Sequence, residues 1–279
     1  MDYIEIIKNC KTKLTAADLK FSEKDFKTFY ILQIQNIGPL RIYNGKKKVT
    51  IDYSQIPVQF KQRIMDLIEP PSGDLVLGID ESGKGDFFGP LVIASGFVED
   101  ESKIRAMGVK DSKMLNDEKI LVLAGKIKKK CFYNVIKISP EKYNQLYTNI
   151  GNLNKLLAWG HAQVIENSLE HVKPDYAISD KFAKDDEIIS QLKEKGKKIK
   201  LVQQTKAEKY VSVAAASIIA RAEFVLSLQK LSFKYGMQLP LGAGENVIIA
   251  GKKFVKKYGI EELKKVCKIH FSTYQKVIQ

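Results

Sequence analysis

Residues 75–90, Leu-Val-Leu-Gly-Ile-Asp-Glu-Ser-Gly-Lys-Gly-Asp-Phe-Phe-Gly-Pro, drive an apolar strand pattern straight into two adjacent carboxylates, Asp80 and Glu81. A glycine-rich basic turn follows at once. An acidic pair closing an apolar strand is costly to bury unless a cation neutralises it. The chain must therefore bring positive charge to this point. After Gly89-Pro90 the apolar pattern resumes with Leu91-Val-Ile-Ala, a second strand. Strand, acid pair, tight turn and returning strand form one unit around which the rest of the chain has to be organised.

Downstream, strand patterns alternate with helical ones. Leu75–Ile79, Leu91–Phe97 and Phe132–Ile138 read as strands, followed by a helix over Leu153–Glu170, strands at Tyr176–Ser179 and Lys200–Gln203, a long helix from Lys206 to Leu231 and another over Lys252–Val266. Apolar strands in mixed order with helices predict an α/β fold whose sheet is covered by helices on both faces. Upstream, residues 1–68 read as a small α+β unit. It has a polar, lysine-rich start, a strand at Tyr30–Ile34, a hairpin about Asn44-Gly45 and a helix over Pro57–Ile68. Glu69-Pro-Pro-Ser-Gly73 is the linker signal, so the expected domains are 1–68 and 74–279.

The 279 residues carry 46 Lys and Arg against 32 Asp and Glu, a formal +14, which attracts nucleic acid or other polyanions. Cys10, Cys131 and Cys267 are scattered and odd in number, which excludes a disulfide framework and a thiolate zinc site. His161, His171 and His270 lack zinc-ligand spacing. The charged start has no signal-peptide core, and the apolar run Val213–Ala220 is short of a bilayer span. A cytoplasmic protein with no membrane partner is the expectation.

Gly78 to Lys84 matches the first seven positions of a Walker A loop, but the eighth is Gly85 where Mg²⁺ needs a hydroxyl. Asp80 and Glu81 would also put negative charge inside a phosphate cradle. A hard divalent cation bound by oxygens suits the pair better. Adjacent strand residues point to opposite faces, so a twist or bulge is expected at the site if both are to reach one cation. Further acids stand at element ends. Asp180 closes Tyr176-Ala-Ile-Ser-Asp, and Glu208 stands just before the long helix. Taken singly, Asp180 also suits a turn or cap, Glu208 completes a Thr205-x-x-Glu capping box, and Asp80 and Glu81 also suit a structural ion pair with Lys84 or another cation. Ala214–Ser217, Trp159 and His161 read as packing residues.

Several motifs occur together and in order: Gly78-Ile-Asp-Glu-Ser-Gly-Lys-Gly-Asp-Phe-Phe-Gly-Pro-Leu, Val109-Lys-Asp-Ser-Lys-Met-Leu, Leu156-Leu-Ala-Trp-Gly-His, Ser179-Asp-Lys-Phe, Thr205-Lys-Ala-Glu and Val213-Ala-Ala-Ala-Ser-Ile-Ile-Ala-Arg. This set resembles the type 2 ribonuclease H family, and within it the ribonuclease HIII branch, over nearly all of residues 74–279. Glu208, where the HII branch usually has Asp, and Lys84, where it has Arg, carry the resemblance to HIII. The family often has Tyr where Phe87 stands and Lys where Leu241 stands.

The resemblance implies a ribonuclease H-like mixed sheet preceded by a small TATA-binding-protein-like domain that grips substrate. It also implies that Asp80, Glu81, Asp180 and Glu208 are catalytic, metal-binding carboxylates using Mg²⁺ or Mn²⁺. The implied activity is endonucleolytic hydrolysis of the RNA strand of an RNA–DNA hybrid, leaving 3′-hydroxyl and 5′-phosphate ends, by a monomer. Two cations about 4 Å apart suit that reaction, because charge builds on both the attacking and the departing oxygen. Ser82, Gly83, Lys84 and Gly85 are candidate substrate contacts, since a glycine turn lets a strand approach and Lys84 is a point charge for phosphate. Ser112 and Lys113 are further candidates, with helix capping and solvation as their alternative roles. A hybrid-binding protein without catalysis and a nucleotide hydrolase are the competing classes.

Overall fold

A computed structural model describes residues 3–26, 28–45, 49–68, 75–109, 115–180, 186–205 and 207–279. They fall into two units, Met1–Ser72 and Gly73–Gln279.

In the first unit, helix α1 (Tyr3–Ala16) precedes strands β1 (Phe21–Phe26), β2 (Phe29–Ile34), β3 (Gly38–Asn44) and β4 (Val49–Asp52), and helix α2 (Val58–Ile68) closes it. The strands form an antiparallel sheet in sequence order. Strand alternation sends Leu32, Ile34, Leu40 and Ile42 to one face, where they bury Ile7, Cys10 and Leu14 of α1 and Ile64 and Ile68 of α2. This is the small α+β domain expected of a TATA-binding-protein-like unit. Helix α1 and strand β1 were not expected, because charged residues fill their outer positions and mask the spacing of Ile7, Cys10 and Leu14. The expected hairpin is present, with Asn44 paired to Val49, and residues 46–48 between them lie outside the described residues.

The second unit is built on a five-stranded sheet: β5 (Val76–Ser82), β6 (Leu91–Val98), β7 (Phe132–Ile138), β8 (Tyr176–Asp180) and β9 (Lys200–Gln204) in the order β7-β6-β5-β8-β9. The first three pair antiparallel, while β8 runs parallel to both β5 and β9. Between them lie α3 (Glu101–Arg105), α4 (Asp117–Ile127), α5 (Pro140–Ile150), α6 (Leu153–Leu169) and α7 (Asp186–Gln191). After β9 come α8 (Val211–Lys234), α9 (Glu245–Leu263) and α10 (Ser272–Ile278). The cap of α4 is Asn116, whose side chain accepts from the Lys119 amide at 2.9 Å. Ser112 and Lys113 lie outside the described residues.

The sheet is covered on both faces, as the apolar strands require. On one face α8 rests directly on backbone: a Cβ on Gly78 would stand 2.2 Å from the backbone of Ser212 and Val213. The run Ala214-Ala-Ala is buried there as expected. On the other face Leu77, Ile79 and Ile93 meet Leu156, Leu157 and Ala162 of α6. A Cβ on Gly160 would come within 2.0 Å of the Ile93 side chain, so this contact also depends on a missing methyl. Helix α8 is 24 residues long with a mean hydropathy of 1.7 over its apolar window, enough to cross a membrane, yet 78% of that window is buried inside the fold.

Candidate active site

The β5 backbone carries the acid pair further than its apolar run suggested. Pairing with β6 continues one-to-one through Asp80↔Ala94, Glu81↔Ile93 and Ser82↔Val92, so no bulge is present and the two carboxylates leave opposite faces. Of the two expected distortions, the bulge is absent. Asp80 faces α8, where the Ser217 side chain hydrogen-bonds it, and its Oδ1 accepts from the Glu81 amide at 2.8 Å. Glu81 faces α6, where its Oε2 lies 3.1 Å from His161 Nε2, and its Oε1 lies 3.7 Å from Lys84 Nζ.

The parallel pairing of β8 with β5 matches Ile79 with Ser179 and so places Asp180 at the same end of the sheet as Asp80. Its Oδ1 accepts from the Ala207 amide at 3.3 Å. That bond tethers the short 3₁₀ turn Ala207–Lys209 holding Glu208. The long helix begins only at Val211, capped by Tyr210 without a side-chain bond, so the Thr205–Glu208 capping box does not form. Asp80, Glu81, Asp180 and Glu208 line one cavity of about 590 Å³, with Ser82, Gly83, Lys84 and Gly85 also on its wall, together with Ser217 and Arg221.

Burial raises the Asp80 carboxyl well above the carboxylate range, and the charges of Glu81 and Asp180 add to it. Burial also pushes Glu81 upward, but the His161 hydrogen bond and Lys84 outweigh it and hold Glu81 below its ordinary value. With Glu81 ionised, His161 Nε2 must carry a proton. Its Nδ1 lies 3.1 Å from the Ser179 hydroxyl, which donates to the Asp180 carbonyl at 3.0 Å.

Among the described residues no group of three or more His, Cys, Asp and Glu side chains converges on one ion position. The donor set nevertheless fits a hard divalent cation. The four ligand candidates are carboxylates, and burial together with the charges of Glu81 and Asp180 disfavours the ionised form of Asp80. A divalent cation bound there would offset that penalty.

Residues 77–274 match the family model described as Ribonuclease HII. The chain is 45% identical over 204 residues to the Ribonuclease HIII of Protochlamydia amoebophila, spanning 72% of this chain and 68% of that protein. It belongs to the ribonuclease HIII family. The Ribonuclease HIII of Chlamydia pneumoniae is 48% identical over 206 residues, covering 72% of this chain and 69% of that protein. Among solved structures, Bst-RNase HIII in complex with Mn²⁺ superposes with a TM-score of 0.68 at 28% identity, covering 92% of this chain and 87% of that one. Aquifex aeolicus RNase H3 gives a TM-score of 0.60 at 25% identity over 96% and 97% of the two chains. Membership of ribonuclease HIII makes the chain a ribonuclease H and accounts for the mixed sheet with its small N-terminal domain.

Sequence reasoning missed the supports of this site. His161 is not a packing residue alone: it is buried and bridges Glu81 to Ser179. Ser217 touches Asp80, and Arg221 pairs through its guanidinium with Asp117 at 3.0 Å on the cavity's rim. A histidine inside an apolar helix facing a sheet that ends in acids was the available signal. Trp159 does pack, partly buried against the α6 core.

Proposed function

We propose that this ribonuclease HIII-family chain cuts the RNA strand of RNA–DNA hybrids endonucleolytically, with Mg²⁺ or Mn²⁺ held by Asp80, Glu81, Asp180 and Glu208. The observation that carries the reading is that these four carboxylates and the Ser82–Gly85 turn all line one cavity. Bound there, a divalent cation lowers the pKa of water and stabilises developing charge on phosphoryl oxygens. Hydrolysis adds the water oxygen to phosphorus and breaks the bond to the ribose 3′-oxygen, which takes a proton. The ends are a 5′-phosphate and a 3′-hydroxyl.

The chain's own groups perform the positioning. Asp80 and Asp180 are held by Ser217 and by the Ala207 amide, and Glu81 by His161 and Lys84, so the carboxylates are preorganised rather than free to turn. Gly83 adopts φ +87°, and a Cβ on it would stand 2.3 Å from the Pro90 carbonyl, so the turn requires glycine. A Cβ on Gly85 would meet nothing within 4 Å, which leaves bare backbone open for a nucleic-acid strand. Backbone groups of such a turn can reach a 2′-hydroxyl, the group that separates RNA from DNA. Lys84, facing the same cavity, suits a phosphate.

The N-terminal unit is proposed to grip the duplex through the sheet face opposite its helices. There the register aligns Lys24, Ile31, Arg41 and Asp52, beside the ring series Phe26, Phe29 and Tyr43 with centroids 4.7 and 5.3 Å apart. Cations among open aromatic surface suit a phosphate backbone and its sugars. The test is incubation with end-labelled RNA–DNA hybrid, duplex DNA and duplex RNA in Mg²⁺, Mn²⁺ or EDTA. Cutting confined to the hybrid's RNA strand and lost in EDTA is expected. Cutting of duplex DNA, or activity in EDTA, would overturn the reading.

A further inference from the structure

Lys268 is a fully buried lysine outside the acid cluster. Its Nζ donates to the Asp86 carbonyl at 2.7 Å and the Gly89 carbonyl at 2.8 Å. These carbonyls belong to the segment that leaves the Ser82–Gly85 turn and leads back into β6. The segment is tied to the strap around Lys268 by backbone as well: the Lys268 amide donates to Phe87, the Gly89 amide to Val266, each at 2.9 Å, and Phe88 pairs with Cys267. From its other side, the Gly242 amide donates to Asp86 Oδ1 at 2.7 Å and the Phe87 amide to the Gly242 carbonyl at 2.8 Å.

The strap is itself fastened. Asn144 on α5 donates to the Lys264 and Cys267 carbonyls and accepts from the Ile269 amide, each at 3.0 Å. A rigid chain of bonds therefore runs from α5 through the strap to the residues that follow the glycine turn. An ammonium is an expensive way to fill core volume, since burial depresses it to about 7 even with the Asp86 charge opposing that shift. What an aliphatic side chain could not do is satisfy two carbonyls that converge from a strained return with Gly89 at φ +84°.

We infer that Lys268 is a positioning residue for substrate: by pinning Asp86 and Gly89 it sets where Lys84 and the open backbone of Gly85 stand relative to the four carboxylates. The inference rests on the hybrid-cutting reading of the site. Its action is indirect, because Lys268 itself never meets the nucleic acid. A purely structural lysine would stabilise the fold without linking to Lys84.

The test is a double-mutant cycle in the full chain with Lys84→Ala, Lys268→Met and the pair, reading KM and kcat on labelled hybrid and amide exchange across residues 82–86. Lys268→Met is expected to raise KM about 10-fold with a smaller change in kcat, the signature of lost binding geometry. It should also speed exchange at residues 84–86. The KM penalty of Lys84→Ala should shrink in the Lys268→Met background, since the two act as a unit. Lys268→Arg, which keeps charge and donors, should recover part of the KM. If the methionine variant does not fold, Lys268→Gln, whose amide is one atom shorter and uncharged and so cannot hold both carbonyls, carries the same comparison. A Lys84→Ala penalty of equal size in both backgrounds, or lost stability with unchanged KM, would overturn the inference. Wild-type protein that cuts no hybrid would instead refute the activity itself.

Discussion

His161 Nε2 lies 3.1 Å from Glu81 Oε2 while its Nδ1 lies 3.1 Å from the Ser179 hydroxyl, beside Asp180 in the neighbouring strand. A buried imidazole thus ties together the strand ends that present two of the four carboxylates. Residues that orient metal-ligating groups typically matter 10–100-fold, roughly, in metal affinity or rate. His161→Phe, which keeps a ring of similar size and removes both nitrogens, is expected to raise the Mn²⁺ concentration needed for half-maximal cutting by about 10-fold or more. Hybrid affinity in Ca²⁺ should stay near wild type. An unchanged metal titration in a folded variant would refute this role.

Gly78 lies beneath the start of α8, where an added Cβ would be 2.2 Å from backbone atoms that cannot rotate away. Gly78→Ala must therefore lift the helix from the sheet. Urea unfolding is expected to show a loss of about 3 kcal/mol or more, the upper range for overpacking. Cutting should fall as well, because Asp80 and Ser217 sit at the same contact. A loss under about 0.5 kcal/mol, the range of ordinary surface changes, would contradict the close approach.

The His270 ring stacks on Tyr147 with centroids 4.3 Å apart, and burial, helped by the Lys268 charge, depresses it from 6.5 to about 4. Tyr143 and Phe271 rings also face it. Since the folded value lies below the unfolded one, the unfolded chain binds the extra proton between them. Stability conferred by neutral His270 is complete above about pH 6.5 and is lost as pH falls toward 4. Thermal unfolding from pH 7 to 4 should show a shallower acid decline for His270→Phe than for wild type. Identical slopes would refute the assignment.

The acid pair was legible because its chemistry is improbable in an apolar strand, and Asp180 because a parallel neighbour brings strand ends together. Glu208 is legible by motif, but its local structure is not. Thr205 and Glu208 have capping-box spacing, yet Asp180 captures the Ala207 amide and a 3₁₀ turn replaces the helix start. His161 and Lys268 were opaque for a related reason. Each is defined by a partner far along the chain, Glu81 or Asp86 and Gly89, and helical or strand periodicity carries no information about such pairings. The two-sided splay of Asp80 and Glu81 followed from strand alternation alone, and the expectation of a bulge yielded to an unbroken β5–β6 ladder.

On the N-terminal sheet, Lys24 and Arg41 flank Ile31 on the face turned away from the helices. If they contact phosphates, each adds about one unit to the slope of log affinity against log salt. The Lys24→Ala, Arg41→Ala double variant should bind hybrid more weakly in low salt and flatten that slope by about 2. The same slope in variant and wild type would remove this face from the substrate path.

Asp80 and its three companions are proposed to be catalytic carboxylates and not structural acids. Asp80→Asn keeps shape and hydrogen bonding while deleting the charge, so cutting of end-labelled RNA–DNA hybrid in Mn²⁺ by this variant, alongside hybrid affinity in Ca²⁺, tests it most directly. Cutting is expected to fall at least about 1,000-fold, the scale of losing a group that stabilises transition-state charge, with affinity within a few-fold of wild type. Near-wild-type cutting by a folded Asp80→Asn protein would contradict it.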